Sequence, residues 1–180
     1  DRFALLVAAI NWTLDHDDTA DRAYRLILPF YGPTGARSEV ADLARRVAAA
    51  WDADAPLRAE AMAVMGTVNF VAADYENGTA FSTAAIEHPD ASDLARVIGC
   101  RTLGMIAATD QRLTEAKQLF EEGLAVAGDI VSFARELRIS WAAVALDPDD
   151  RGEVLAELDR LLAEARASDE AITIVWAAVT

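Results

Sequence analysis

Cysteine is almost missing from this sequence. Cys100 is the single one in 180 residues, so no internal disulfide can form, and a reducing cytoplasm is the expected compartment. Histidine is as scarce: His16 and His88 lie far apart in the chain, and with one cysteine they supply no ligand set at metal spacing. Bases are few as well, 16 against 30 acids, and Lys117 is the one lysine among them. A formal charge of −14 repels phosphate backbones and anionic lipid surfaces, so neither nucleic acid nor membrane is an expected partner. Long apolar runs are missing too. The uncharged stretches Phe3–Leu14 and Ala61–Ala73 fall short of the roughly 18 residues that a membrane span needs. The nine glycines are scattered and form neither GxxxxGK[ST] nor GxGxxG, so an ATPase motif would have to lie outside these residues. No cofactor is expected.

What is abundant is alanine, the commonest residue of a chain that is 53% apolar but only 7% aromatic. Alanine is the strongest helix former, and its excess over β-branched residues predicts helix. Together with arginine in place of lysine, it fits the codon usage of a high-GC bacterium. Apolar spacing predicts a helix over Arg2–His16, with Phe3, Leu5, Leu6, Ile10 and Leu14, and another from Thr19 to Pro29. Tyr31-Gly32-Pro33-Thr34-Gly35 stops the chain before a helix capped at Ser38 and ending near Trp51. Asp54 and Pro56 open the next, which runs to about Ala73.

Beyond that, helices are expected over Tyr75–Glu87, from the cap Ser92 through Ile106, over Leu113–Ala127 with Gly128 as the stop, over Ile130–Leu146, and over Arg151–Ala167. Ser168-Asp169-Glu170 opens a last helix. No stretch alternates with period two, so no sheet is expected. At least four antiparallel helix pairs follow. The chain starts at Asp1 without Met and stops in the apolar run Ile172–Thr180, as a piece cut from a larger protein would.

These helices recur. Gly66, Gly104 and Ala142 are equally spaced along the chain, each inside the first helix of a pair. In the second helices Gly78, Ala116 and Val154 keep the same register, as do Ser82, Phe120 and Leu158. Upstream, Val40 and Ala44 fall at the same offset. A small residue in mid-helix lets its hairpin partner approach closely, which is the physical use of such a register.

Residues that invite chemistry have plainer roles. His88-Pro89-Asp90 reads as a helix stop. The acidic clusters Asp15–Asp18 and Asp147–Asp150 lack the alternation, glycine and closing glutamate of a calcium loop, and read as caps and solvated turns. Cys100, amid Ile98, Gly99 and Leu103 and without a base, reads as a buried small hydrophobe. The four tryptophans, at 12, 51, 141 and 176, sit among apolar neighbours and are expected in the core or at repeat contacts. No catalytic constellation is expected.

Leu103-Gly104 followed by Ala116-x3-Phe120 resembles the tetratricopeptide repeat signature. Met65-Gly66 with Ala85 and Trp141-Ala142 with Leu158 resemble it more weakly. Departures are the 38-residue period against about 34, Gly128 where the closing proline stands, and Ala107 at the first-helix aromatic. The resemblance implies an all-α fold, a right-handed superhelix of stacked antiparallel hairpins (a tetratricopeptide-like α-solenoid). An N-terminal helix over 1–18 would join a preceding module, with repeats over about 19–51, 54–88, 92–128 and 130–167 and a truncated one from 168.

The opening, with Asn11-Trp12-Thr13-Leu14-Asp15-His16 and Ala23-Tyr24-Arg25-Leu26, is similar to the segment that follows the signal-transduction ATPase in large bacterial LuxR-type and AfsR-type regulators. Some multidomain adenylate cyclases share that arrangement. The resemblance implies a non-catalytic binding module of a cytoplasmic transcriptional regulator, or the regulatory repeats of a cyclase or other signalling enzyme. Its partner would be a protein, a small effector or other domains of the same chain. Carried over from tetratricopeptide hairpins, the concave-face contacts would be Glu60, Thr67, Phe70, Arg101, Met105, Thr109, Glu136 and Ile139. Arg101 is the central cation there, able to grip a carboxylate or to pair with an acid of a neighbouring helix.

Overall fold

The computed structural model describes residues 2–16, 22–23, 26, 38–50, 58–128, 130–144 and 151–167. Among these the structure is helices joined by short turns, without a strand. Eight helices are described: α1 (Arg2–His16), α2 (Ser38–Ala49), α3 (Arg58–Val71), α4 (Tyr75–Glu87), α5 (Asp93–Thr109), α6 (Leu113–Ala127), α7 (Val131–Val144) and α8 (Arg151–Ala167). The turn at 31–35, the start at Asp54 and Pro56, the acidic turn 147–150 and the last helix from Ser168 lie outside the described residues, as do Trp51 and Trp176. So does the expected helix over 19–29, apart from residues 22, 23 and 26, which are helical.

Three packed helix pairs are described, α3 with α4, α5 with α6, and α7 with α8, the first two with their connecting turns. Successive hairpins also touch, α4 on α5 and α6 on α7, and the first helices meet in sequence, α3 with α5 and α5 with α7. The second helices begin at Tyr75, Leu113 and Arg151, one period of the sequence register apart.

The turns inside the hairpins repeat as closely. Ala73 N–H donates to Phe70 C=O at 2.9 Å and Asp74 N–H to Asn69 C=O at 2.8 Å. One period on, Gln111 N–H donates to Ala108 C=O at 3.0 Å and Arg112 N–H to Ala107 C=O at 2.8 Å. This pair of bonds is the Schellman closure, which puts its C′ residue in the left-handed region. Ala73 (φ 59°) and Gln111 (φ 61°) both sit there, without the glycine that usually fills the position.

Between hairpins the connection varies. After α4 the chain turns through His88 to Ser92, and Ser92 caps α5 by accepting from Ala95 N–H at 3.2 Å. The imidazole of His88 takes part in that stop by accepting from Asp90 N–H at 3.2 Å. After α6, which is longer than α4, Gly128 (φ 44°, ψ −120°) makes a shorter turn in a conformation that side chains rarely adopt.

The small residues of the register are contact points. A Cβ added to Gly104 would stand 2.4 Å from Phe120 Cε1, and one added to Gly66 would stand 2.0 Å from Ser82 Oγ. The third member behaves alike, with buried Ala142 packed on Val154 and Leu158. Two cores result. Ala59, Ala63, Ala85, Ala95 and Ile98 join α3, α4 and α5; Val97, Ala107, Ala116, Phe120, Ala127 and Leu137 join α5, α6 and α7.

One expectation about the core needs correction. Trp12 is 55% exposed on α1, where Leu5 of the apolar stripe is 71% exposed as well. Trp12 stacks on His16 instead, with ring centroids 4.8 Å apart, and the His16 ring hydrogen-bonds the Trp12 carbonyl through Nδ1 at 2.9 Å. Apolar periodicity places a stripe on α1 without saying which members of it find a partner. Buried on that helix are Ile10 and Thr13, and Asn11 ties it to α2 by accepting from Arg46 at 2.7 Å.

Candidate functional site

Because first helices sit side by side, residues of α3, α5 and α7 at equivalent offsets come within reach of one another. Thr67 and Thr102 share a buried hydroxyl–hydroxyl bond of 2.8 Å between α3 and α5. Glu60 is buried and accepts a hydrogen bond from the Ser92 hydroxyl, which ties the start of α3 to the start of α5. Arg101 of α5 places Nε 2.9 Å from Glu136 Oε2 of α7, as an ion pair rather than an aligned hydrogen bond. Both side chains are only 20% exposed. Arg101 therefore has a neighbouring-helix acid within the fold.

The remaining residues of the expected concave set are spread over different surroundings. Phe70 is half-buried against Tyr75, with centroids 5.9 Å apart. Met105 packs on the α5–α6–α7 core, and Ile139 is buried against Leu161 of α8. Thr109 is exposed and donates to its own helix at Met105 C=O, 2.9 Å away. The structure joins Arg101 to Glu136. Glu60, Thr67 and Ile139 face partners inside the protein.

A different constellation surrounds an open cavity of about 460 Å³ between α6, α7 and α8. Its walls are Leu124 and Ala156, Trp141 lines it from α7, and the charged members are Glu121, Arg138, Glu157 and Arg160. Trp141 is half-buried and held in place: its indole N–H donates to Glu121 Oε1 at 3.2 Å, and Lys117 Nζ stands over the ring, 5.4 Å from the centroid.

The two guanidiniums differ in how firmly they are engaged. Arg160 donates twice to Glu157, at 3.0 and 2.6 Å, and once to Glu164 at 2.7 Å. These bonds hold its proton still more firmly than usual. Arg138 comes no nearer to Glu157 than 3.9 Å, beyond hydrogen-bond range. It is the loosely engaged cation of the groove.

One period upstream the same seven positions are Thr83, Ile86, Cys100, Leu103, Gln118, Leu119 and Glu122. There Ile86 drops against Gly99, whose added Cβ would meet Ile86 Cγ1 at 2.8 Å. In α7 the position of Gly99 is taken by Leu137, which seats on Gly123 of α6, so Leu124 has no such notch. Cys100 at the position of Arg138 is buried. Desolvation pushes its thiol up to about 11, with the Glu122 charge adding to the shift and Arg96 opposing it.

The sequence reading missed this site, because charged residues on amphipathic helices read as solvated faces. The signal was available in the repeat register: Cys100 becomes Arg138, Leu103 becomes Trp141 and Glu122 becomes Arg160. Among the described residues, no three His, Cys, Asp or Glu side chains gather as a metal site, and no helix is long and apolar enough to cross a membrane. Comparison with protein-family models, with curated proteins and with solved structures returns no match. Geometry alone therefore defines the class: an all-helical chain of repeated hairpins that carries a charged, tryptophan-lined groove.

Proposed function

We propose that this chain is a non-catalytic, protein- or effector-binding helical-repeat module of a cytoplasmic multidomain transcriptional regulator of the LuxR or AfsR type. Its antiparallel hairpins would stack into a right-handed, tetratricopeptide-like superhelix. The observation that carries this reading is the repetition itself. Two Schellman turns one period apart close successive hairpins, and the first helices meet in order, α3 with α5 and α5 with α7. Repeats of this kind contact only their neighbours and so present extended surfaces to partners. The groove beside Trp141 adds a place where such a surface is concave and bears opposite charges.

The test uses the full-length regulator. Deletion of residues 58–167 is expected to abolish the dependence of transcription on effector or partner while operator binding persists. Regulation that survives the deletion, or operator binding lost with it, would contradict the proposal.

A further inference from the structure

A binding module needs a place where its ligand is distinguished from water and from other solutes. Among the described residues, three features converge on the cavity between α6, α7 and α8. It is large enough, at about 460 Å³, to hold a small organic molecule. One part of its lining is apolar, from Leu124, Ala156 and the Trp141 ring. At the charged part, Arg138 has a carboxylate close by but not hydrogen-bonded to it, at 3.9 Å.

Charge sharpens the choice of ligand. The chain as a whole carries −14, yet Lys117, Arg138 and Arg160 gather around one indole. Glu121 is committed to the indole N–H, and Glu157 to Arg160. A guanidinium with free donors next to an apolar wall suits a carboxylate attached to an apolar body, since the planar fork binds carboxylate oxygens in pairs. A cationic ligand would meet Arg138 and Arg160, while the two lining carboxylates already have partners. A neutral one would leave Arg138 without a use.

The equivalent seam within the chain points the same way. One period upstream, Cys100, Leu103 and Glu122 hold the equivalent places, and Ile86 fills the notch at Gly99. Where Ile86 seats on Gly99 upstream, the groove has Leu124 without such a notch, and two arginines and a tryptophan stand in place of Cys100, Glu122 and Leu103. Packing alone does not ask for guanidiniums there, because the upstream seam packs without them.

We propose that this groove binds a small amphipathic carboxylate, its apolar body against Trp141, Leu124 and Ala156 and its carboxylate on Arg138. This rests on the reading of the chain as a binding module and names the ligand class and the site. Glu157 then acts as the internal competitor for the same guanidinium. It holds Arg160 and stands near Arg138, so an incoming carboxylate meets its repulsion.

Attraction and repulsion can be tested separately. Octanoate is the probe, with octanol as its uncharged match, and the indole N–H resonance of Trp141 in the whole 180-residue chain is the reporter. Octanoate is expected to shift that resonance with saturation. R138Q should weaken octanoate about tenfold or more, as loss of a charge-assisted pair does, while R138K weakens it less. E157Q should tighten it, and octanol should be indifferent to all three changes.

Octanoate binding that ignores both R138Q and E157Q would overturn the proposal, as would the absence of any saturable shift. The same variants in the full-length regulator keep the two readings apart. If octanoate fails while deletion of residues 58–167 still abolishes regulation, this site falls and the module reading stands. If regulation survives the deletion, the broader reading falls whatever octanoate does.

Discussion

At the residue scale, single side chains decide how closely two helices approach. Gly104 is the clearest case, since any Cβ there enters the ring of fully buried Phe120. Gly104→Ala is expected to cost about 1–3 kcal/mol, the range for overpacking, read as a lower urea midpoint with unchanged slope. Adding Phe120→Leu should recover part of that loss. A neutral Gly104→Ala would contradict the close approach. Cys100 makes a second prediction, because burial raises its thiol from the ordinary 9.0 to about 11. The folded state keeps a proton that the unfolded chain releases above about pH 9, so this group lowers stability as pH rises from 9 towards 11 and has no effect below. Replacing it with alanine should flatten that part of the stability profile. In the native chain, disulfide reagents at pH 8 should react far more slowly than after unfolding in urea; equal rates would refute the burial.

At the element scale, packed apolar faces hold the helices together, and caps and turns fix where each one stops. Ala73 and Gln111 occupy left-handed positions where a side chain is strained by roughly 1–2 kcal/mol. Ala73→Gly and Gln111→Gly are each expected to stabilise the chain by about 0.5–1 kcal/mol, less than the full strain because glycine loses more entropy on folding. A clear drop in thermal midpoint for both would show that the turns are not closed in this way. These two turns were illegible in the sequence, since neither alanine nor glutamine announces a left-handed residue. The helices beside them were legible: Pro89 and Gly128 mark real stops, Ser92 marks a real cap, and the bounds Tyr75–Glu87, Leu113–Ala127 and Arg151–Ala167 follow from such signals. Side-chain partners were harder. The spacing that grouped Thr67 with Arg101 and Thr109 identifies offsets along a helix, but packing decides that Thr67 meets Thr102 and Arg101 meets Glu136. The groove at Trp141 stayed hidden for a related reason: its cations lie on helices where a solvated face is the default reading.

At the scale of the whole molecule, the repeat register is what links local chemistry to a binding surface. Equivalent turns, equivalent small residues and equivalent first-helix contacts describe one hairpin repeated, and the proposed superhelix extends that repetition along the chain. Spacing between successive hairpins tests it most directly. Glu76, Thr114 and Gly152 are exposed, lie one period apart near the starts of α4, α6 and α8, and a side chain at Gly152 meets nothing within 4 Å. With Cys100 replaced by alanine, spin labels at pairs of these positions give three distances by pulsed electron resonance. The expected result is equal separations for 76–114 and 114–152, with 76–152 longer than either. Unequal neighbouring separations, or a 76–152 distance no longer than one repeat, would contradict a regular stack.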